Sequence, residues 1–243
     1  SNEIIVFIRD IYAELFPHDY NTFRRKITFV LNKISNFYLT LISTSMVFPT
    51  NNMGSIFFDK NLLFPSRTYT NLPPGTIEMP VDRAIPDFNQ KLGVLYLGST
   101  KYANSGFYNF VDFSRQYSKF YNFFVLSGDM NLKDDLACEQ INLNSIPHDE
   151  ISSFIESNNI AYAMHTRPRN EYDDITFPIK ILDFVSLCLP FFSEKHIPLE
   201  GLLGEDYKLF KNLNNLNNLH ESIQSISKDE YIEWTTYLKN VAI

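Results

Sequence analysis

The chain of 243 residues is 44% hydrophobic and 20% charged, a globular composition that excludes a disordered or fibrous protein. Its net charge of −7 disfavours a dedicated nucleic-acid-binding protein, although a small phosphorylated ligand needs only a few local cations. No apolar run reaches the ~20 residues of a membrane span, and no signal peptide is visible. The length suits one large domain or two small ones, at roughly 100–150 residues each.

The first elements are a strand and a helix. Residues 4–8 are a continuous apolar run, which predicts a buried parallel strand. Residues 20–38 predict a helix with apolar residues on one side and cations on the other. A strand at 39–43 and a short helix around 55–61 are predicted next. The apolar positions are Phe23, Ile27, Val30, Leu31 and Ile34, and the cations are Arg24, Arg25, Lys26 and Lys33.

Beyond a turn-rich linker at 80–91, short apolar strands alternate with helices. This alternation predicts a parallel sheet with helices on both faces. The strands are predicted at 92–97, 120–126, 141–143, 160–164, 189–193 and 206–210. The helices are predicted at 107–117, 147–157, 177–187, 211–226 and 228–241.

The two cysteines, Cys138 and Cys188, lie in apolar surroundings with no CxxC pair. We therefore expect buried thiols and a reducing compartment.

One candidate binding loop follows the strand at 92–97. Open α/β sheets bind ligands beyond the carboxyl ends of their strands. There Gly98 lets a phosphate approach the backbone, and Ser99 and Thr100 precede the next helix. A purely structural turn explains this loop equally well. No GxGxxG or GxxxxGK[ST] motif occurs, which disfavours ordinary dinucleotide and P-loop enzymes.

A second candidate is the polar segment 165–174, which follows the strand at 160–164. With Lys180, its Arg167 and Arg169 are typical of a phosphate clamp. The alternative is a solvated loop with surface ion pairs. Lys180 and Asp183 share one helix face, so a phosphate near Lys180 and ribose hydroxyls near Asp183 would fit together. An ordinary helix-surface ion pair is the competing interpretation.

The run Pro178-Ile-Lys180-Ile-Leu-Asp183-Phe, followed by Cys188-Leu-Pro190-Phe-Phe, resembles the nucleotide-sugar signature of GT-B glycosyltransferases. The resemblance spans about residues 39–243 and is nearest the teichuronic-acid and glucuronosyltransferase-like branch. Asp183 replaces the usual Glu, and Leu187-Cys188 stands where the family often has Ala-x-Gly. The implied fold is α/β and GT-B-like: a Rossmann-type doubly wound parallel-sheet domain plus an incomplete second Rossmann-like domain.

The resemblance also implies roles for individual residues. Lys180 and Arg167 would neutralise the diphosphate leaving group, with Gly98 and Ser99 facing it. The segment 141–146, including Asn142 and Leu143, would line the base. No cofactor or obligatory metal is expected, because the donor, a UDP- or GDP-sugar, is itself the substrate. A metal bound by Asp173 and Asp174 is the alternative.

The acceptor side requires a group that takes the proton of the acceptor hydroxyl. Asp10, which ends the first strand, is the candidate base, and a helix cap or an ion pair with Arg9 is the alternative. His165 is a second catalytic candidate, and the alternative is a histidine with a purely structural role.

The resulting prediction is a bacterial, cytoplasmic glycosyltransferase of surface-polysaccharide synthesis. It would act on a saccharide or lipid-linked acceptor, with peripheral contact to the inner face of the membrane. A non-catalytic sugar-nucleotide-binding or assembly module and a GT-B sugar-nucleotide epimerase are the alternatives. Residues 1–80 are predicted as a partial acceptor-side domain, 81–226 as the nucleotide-sugar-binding domain, and 227–243 as a helix crossing back to the first. Because the chain opens Ser1-Asn2-Glu3 and enters an apolar strand at once, we expect that preceding sequence is missing.

Overall fold

A computed structural model describes residues 3–75, 83–102, 105–213 and 215–242. The chain divides into two compact units. The first contains the residues up to 75 together with 170–177, and the second contains the rest.

The first unit is built on a parallel sheet of three strands in the order β1-β2-β3. Its hydrophobic core joins β2 to α3 and includes Met46, Phe48, Met53, Phe57 and Ile175. The Thr50 hydroxyl begins α3 by accepting a hydrogen bond from the Met53 N–H at 3.1 Å. The elements are β1 (Ile5–Phe7), α1 (Tyr12–Leu15), α2 (Phe23–Ile42), β2 (Ser45–Phe48), α3 (Asn51–Asp59) and β3 (Thr68–Asn71).

Several predictions for this unit need correction. Strand β1 is parallel, but it is not buried as predicted, because Ile5 is 62% and Phe7 45% exposed. The strand predicted at 39–43 lies in α2, because its residues continue the helical period as far as Ser43, which caps the helix. The sheet strand is instead β2, which starts at Ser45, two residues after the helix cap. The helix expected around 55–61 is α3, which begins earlier at its Thr50 cap. Strand β3 was not predicted, because its residues are all exposed and lack apolar alternation.

The second unit is a five-stranded parallel sheet in the order β6-β5-β4-β7-β8. Its central strands are almost fully buried, as expected of a sheet covered on both faces. The predicted α/β class with a Rossmann-type parallel sheet is thereby confirmed. The strands are β4 (Gly93–Leu97), β5 (Asn122–Leu126), β6 (Ile141–Asn144), β7 (Ile160–His165) and β8 (Phe191–Ser193).

The helices of the second unit are α4 (Phe107–Tyr117), α5 (Lys133–Cys138), α6 (Ile151–Ser157), α7 (Ile179–Ser186), α8 (Ile197–Leu203), α9 (Leu216–Ser225) and α10 (Lys228–Ala242). Helices α5 and α8 are short and were not predicted, and the helix expected at 211–226 begins only at the Asn215 cap. The strand predicted at 206–210 is a turn with one bridge to β8. There the buried Tyr207 hydroxyl bonds to the backbone of Phe191, so the side chain fills the core.

Two segments group differently from the predicted domain ranges. Residues 170–177, placed within 81–226 by the sequence, belong to the first unit. Helix α10, expected to cross back to the first domain, packs against α7 and α8 in the second unit. Its Tyr231 is buried against Tyr162 of β7, with ring centroids 5.6 Å apart. Of the predicted linker, 80–82 lies outside the described residues, and 83–91 contains neither helix nor strand.

No helix among the described residues is long and apolar enough to cross a membrane.

Candidate functional site

The site lies at the carboxyl edge of the second sheet, where the strand order changes direction. From β4 the chain proceeds outward through β5 and β6, whereas β7 and β8 lie on the other side of β4. The crevice beyond the ends of β4 and β7 is therefore the topological switch point, where open α/β sheets bind ligands. Gly98 follows β4, and α7 follows β7 after a loop.

Gly98 and Lys180 meet in this crevice. A Cβ at residue 98 would overlap Nζ and Cε of Lys180, so the lysine side chain occupies the space that a larger residue would need. Gly98 also has φ 135°, a conformation that side chains rarely adopt. Any other residue at 98 would therefore strain the turn and displace the ammonium group.

Burial changes the electrostatics of Lys180. Desolvation, and then the nearby Arg167 guanidinium, lower the pKa of its ammonium to about 8. The Nζ atom lies 5.1 Å from the ring centroid of Tyr96, whose π face attracts a cation. The group is therefore mainly charged at neutral pH, in surroundings that solvate it poorly, which is the condition under which an anion binds best.

The loop after β7 is held against the start of α4. The Thr166 hydroxyl donates to the Gly106 carbonyl oxygen at 2.7 Å, and Asn109 Nδ2 donates to the Thr166 carbonyl oxygen at 3.2 Å. Gly106, with φ 78°, has no room for a Cβ against the Thr166 backbone. These contacts fix the position of the half-buried Arg167.

Arg169 is exposed, and its backbone N–H donates to Glu194 Oε2 at 3.0 Å. This contact helps to hold the loop, whereas Arg167 is the neighbouring charge that lowers the pKa of Lys180.

His165, the last residue of β7, is buried beneath these cations. Its Nδ1 is 3.3 Å from Ser193 Oγ, and its ring centroid lies 5.9 Å from that of the fully buried His196. Desolvation, followed by Lys180, His196 and Arg167, lowers its pKa to about 3. The ring is therefore neutral at ordinary pH and suits support of the sheet edge better than proton transfer.

A cavity of about 500 Å³ lies beside Gly98 at the ends of β4, β5 and β6. Gly98 and Ser99 line one side of this cavity. Thr100 is buried behind them and donates to Asp129 Oδ2 at 3.1 Å. Asp129 Oδ1 lies 3.7 Å from Lys101 Nζ, so this carboxylate is part of the pocket wall.

The far side of the cavity carries Ser145, Ile146 and His148. Asn142 and Leu143, predicted to contact a base, lie further back, inside β6, and do not line it. They pair with Phe124 and Val125 of β5, and strand side chains point to the sheet faces rather than its end. The residues that meet the cavity are those just beyond the strand.

His148 connects the cavity to Asp183. Its Nε2 lies 3.3 Å from Asp183 Oδ1, and the two side chains are 38% and 16% exposed. Burial raises the pKa of Asp183, and His148 opposes that rise. The helix predicted at 147–157 gives no sign of this contact, because Asp183 lies 35 residues away from His148 in the chain.

Asp10 belongs to the first unit. It is exposed, and its Oδ2 accepts a hydrogen bond from the Tyr172 hydroxyl at 3.1 Å. Tyr172 comes from the 170–177 segment, so this segment contacts the chain at Asp10, three residues beyond β1 rather than at the strand end predicted from the sequence. Among the described residues, no group of three or more His, Cys, Asp or Glu side chains is placed to hold a metal ion.

The backbone just after α7 adopts a left-handed conformation at a residue other than glycine. Cys188, which stands near the position of a family glycine, has φ 48° and is buried. Glycine is the usual residue in this conformation just after a helix. The departure from the family pattern therefore changes the side chain and keeps the glycine-like turn.

No protein-family model and no curated protein sequence matches the chain. Solved structures do match. An α,α-trehalose 6-phosphate synthase from Burkholderia multivorans aligns over 99% of this chain and 66% of its own, with TM-score 0.61 and 9% identity. TarM from S. aureus, solved with UDP, aligns over 85% and 42%, with TM-score 0.58 and 12% identity.

The pneumococcal O-GlcNAc transferase GtfA, solved with UDP and GlcNAc, aligns over 86% of this chain and 43% of its own, with TM-score 0.52 and 12% identity. The chain spans 43% of a chain in the GtfA/B complex and 51% of another TarM chain, about half of each. At these identities the likeness is one of fold. The chain has the fold of the GT-B glycosyltransferases, and the predicted resemblance is confirmed at that level.

Proposed function

We propose that this protein binds a nucleoside-diphosphate sugar at the carboxyl edge of the second sheet and transfers its sugar to an acceptor. The carrying observation is the placement of Lys180 over Gly98 at the switch point. A half-buried ammonium group beside Arg167 and a glycine turn is a site for a diphosphate. The solved structures with this fold include complexes with UDP and with a fluorinated UDP-glucose, which supports the same ligand class here.

The adjoining cavity supports the rest of the donor. Its volume of about 500 Å³ falls in the usual range for small-molecule sites. In the proposed mode the diphosphate lies between Gly98-Ser99 and Lys180, and Asp183 accepts hydrogen bonds from the ribose hydroxyls. The base lies towards Ser145 and Ile146. No metal is required, because the cations neutralise the charge that develops on the departing diphosphate.

The acceptor half of the reaction requires a base, which we assign to the first unit. Asp10 is the proposed base, and its hydrogen bond from Tyr172 would orient the carboxylate towards an acceptor hydroxyl. A saccharide or lipid-linked saccharide in bacterial surface-polysaccharide synthesis is the proposed acceptor class. The proposed location is the cytoplasm, at the inner face of the membrane.

A thermal-shift screen with UDP-, GDP-, TDP- and CMP-sugars tests donor binding. We expect one nucleotide to raise the melting temperature of the wild type and to have little effect on Lys180→Ala. The matched control is Lys119→Ala, an exposed lysine of the same unit, which should respond as the wild type does. Binding that is absent for every nucleotide, or unchanged in Lys180→Ala, contradicts the proposal.

Product analysis then distinguishes transfer from the alternatives. Release of nucleoside diphosphate that depends on an acceptor and is lost in Asp10→Asn supports a transferase. Conversion of the donor into its epimer without an acceptor identifies an epimerase. Tight binding with neither product identifies a non-catalytic module.

A further inference from the structure

Helix α2 has its apolar face turned outward. The stripe runs along one side of the helix from Phe23, which is 81% exposed, through Ile34, which is 59% exposed, to Leu41. At ~1.5 Å per residue it is about 27 Å long. The exposed apolar residues are Phe23, Ile27, Val30, Leu31, Ile34, Phe37, Tyr38, Leu41 and Ile42.

The opposite side of α2 carries polar residues beside the half-buried Phe29 and Leu39, and it is anchored to its own unit. Glu14, whose side chain is only 1% exposed, lies 3.1 Å from Lys33 Nζ and accepts from Asn36 Nδ2 at 3.3 Å. Lys33 Nζ also donates to Asn61 Oδ1 at 2.7 Å. Arg67 donates to the Thr40 and Leu41 carbonyl oxygens at the end of the helix.

These contacts prevent α2 from turning its apolar side inward. A rotation would leave the Glu14 carboxylate buried without its partners, which costs several kcal/mol. The outward orientation is therefore set by the polar contacts of the first unit, and the stripe is left open by the described residues of that unit.

The charges beside the stripe indicate what kind of surface it binds. α2 contains no acidic residue, whereas Arg24 and Lys26 project on the two flanks of the stripe near its start, and both are exposed. A chain with net charge −7 thus places cations beside an exposed apolar stripe. An apolar strip with cationic flanks is the arrangement by which amphipathic helices lie in the surface of anionic membranes.

A second copy of the chain fits less well. Two α2 helices packed along their stripes would bring cations of both copies to one interface with no acidic residue on either helix to pair them. A bilayer surface requires no shape-matched groove, and its anionic headgroups supply the missing charge. The flanking cations of α2 also suit a helix that lies on the membrane rather than one that crosses it, in keeping with the absence of a spanning helix among described residues.

We infer that α2 is a membrane-surface helix that inserts its apolar stripe into bilayers containing anionic lipid, with Arg24 and Lys26 on the headgroups. The α2 stripe then supplies the surface for the membrane contact of the proposed function. It does not depend on nucleotide binding, so failure of one leaves the other standing.

Flotation of the full 243-residue chain with vesicles tests the inference. We expect it to float with phosphatidylcholine vesicles containing about one third phosphatidylglycerol, and to bind phosphatidylcholine alone at least about tenfold more weakly. Raised salt should weaken binding to the anionic vesicles. Absence of binding to anionic vesicles overturns the inference.

Paired variants identify the surface. Val30→Ser with Ile34→Ser should lower vesicle binding at least about tenfold, and Arg24→Gln with Lys26→Gln should lower it for anionic vesicles only. Tyr108→Ser and Lys119→Gln, exposed residues of the second unit, are the matched controls and should bind as the wild type does. Equal binding by the Val30/Ile34 variant overturns the inference.

Two further measurements guard against a folding artefact and a protein partner. Ile34→Trp should gain fluorescence that brominated lipids quench, whereas the chain's own Trp234 is buried in α10 and should not respond. Absence of quenching counts against insertion. Sedimentation that shows a wild-type dimer, dissolved by the Val30/Ile34 substitutions, would assign the stripe to self-association and overturn the inference.

Discussion

Helices α2 and α7 have the same kind of amphipathic pattern and opposite orientations. In α7 most apolar residues are buried, Ile181 and Phe184 completely, and Lys180 and Asp183 lie on the other side at the candidate site. In α2 most apolar residues face outward, and the side that packs inward carries Lys33 and Asn36 together with Leu39.

The difference teaches that a helical period locates two faces and does not say which one a fold buries. In the second unit helix α10 and strand β7 pack against α7 and cover its apolar side. In the first unit the buried Glu14 needs Lys33 and its amide neighbours, so the polar side of α2 is drawn in.

Equivalent truncations on the two helices should have unequal effects, and this is the largest difference expected. Ile181→Ala should destabilise the second unit by about 3 kcal/mol, because it leaves a cavity in a fully buried core. Ile34→Ala, at an exposed position, should change stability by less than about 0.5 kcal/mol. Urea unfolding followed by hydrogen exchange measures both, and equal losses would mean that α2 is covered within its own unit.

Removing the anchor of α2 tests why the helix is inverted. Glu14→Ala should cost about 3 kcal/mol, because Lys33 is left mostly buried without its carboxylate. The double change Glu14→Leu with Lys33→Met removes both charges and should recover much of that loss. Denaturant unfolding of the three proteins measures the effect; a double variant no more stable than Glu14→Ala would show that the ion pair does not set the orientation.

The half-buried ammonium group of Lys180 in α7 should lower the stability of the ligand-free protein, and a bound anionic ligand should offset that loss. The pKa of Lys180 is lower in the folded chain than when unfolded, so stability without ligand should rise as the pH increases from about 8 towards 10. Lys180→Met should therefore stabilise the ligand-free protein at pH 7 by about 1–2 kcal/mol and remove this rise. Melting curves from pH 7 to 10 are the measurement, with Lys119→Met as the unaffected control.

Nucleotide binding should weaken as Lys180 loses its proton. With a pKa of about 8, affinity for the bound nucleotide diphosphate should fall about tenfold between pH 7 and 9. Lys180→Arg should bind with little pH dependence over that range, because guanidinium stays charged. Titration calorimetry compares the two, and an identical pH profile would remove Lys180 from the binding step.

The smallest expected effect concerns His148. Its contact opposes the rise in the pKa of Asp183, so His148→Ala should raise that pKa further. Because the ionised carboxylate accepts the ribose hydroxyls in the proposed mode, nucleotide affinity should fall a few-fold, with the acid-side loss beginning at higher pH. Calorimetry from pH 4 to 7 measures this, with Asp149→Ala as the neighbouring control. An unchanged acid limb would show that His148 does not act through Asp183.

Much of the second unit could be predicted from local pattern. Buried parallel strands such as β4 and β7 are continuous apolar runs, and Lys180 and Asp183 share a face because of helical spacing alone. Predictions failed where a distant partner decides the structure. Tyr207 bonds to the backbone of β8, which turned a predicted strand into a turn, and β3 has no apolar pattern of its own.

The sequence by itself determined the α/β class, the GT-B resemblance and the loops at the strand ends, because these depend on periodicity and short motifs. Only the tertiary structure decided that Lys180 occupies the space above Gly98, that His148 reaches Asp183, and that Asn142 and Leu143 lie behind the cavity. The tertiary structure also decided which side of α2 is exposed. Each of these depends on contacts between residues far apart in the chain, whose burial and distances no local pattern contains.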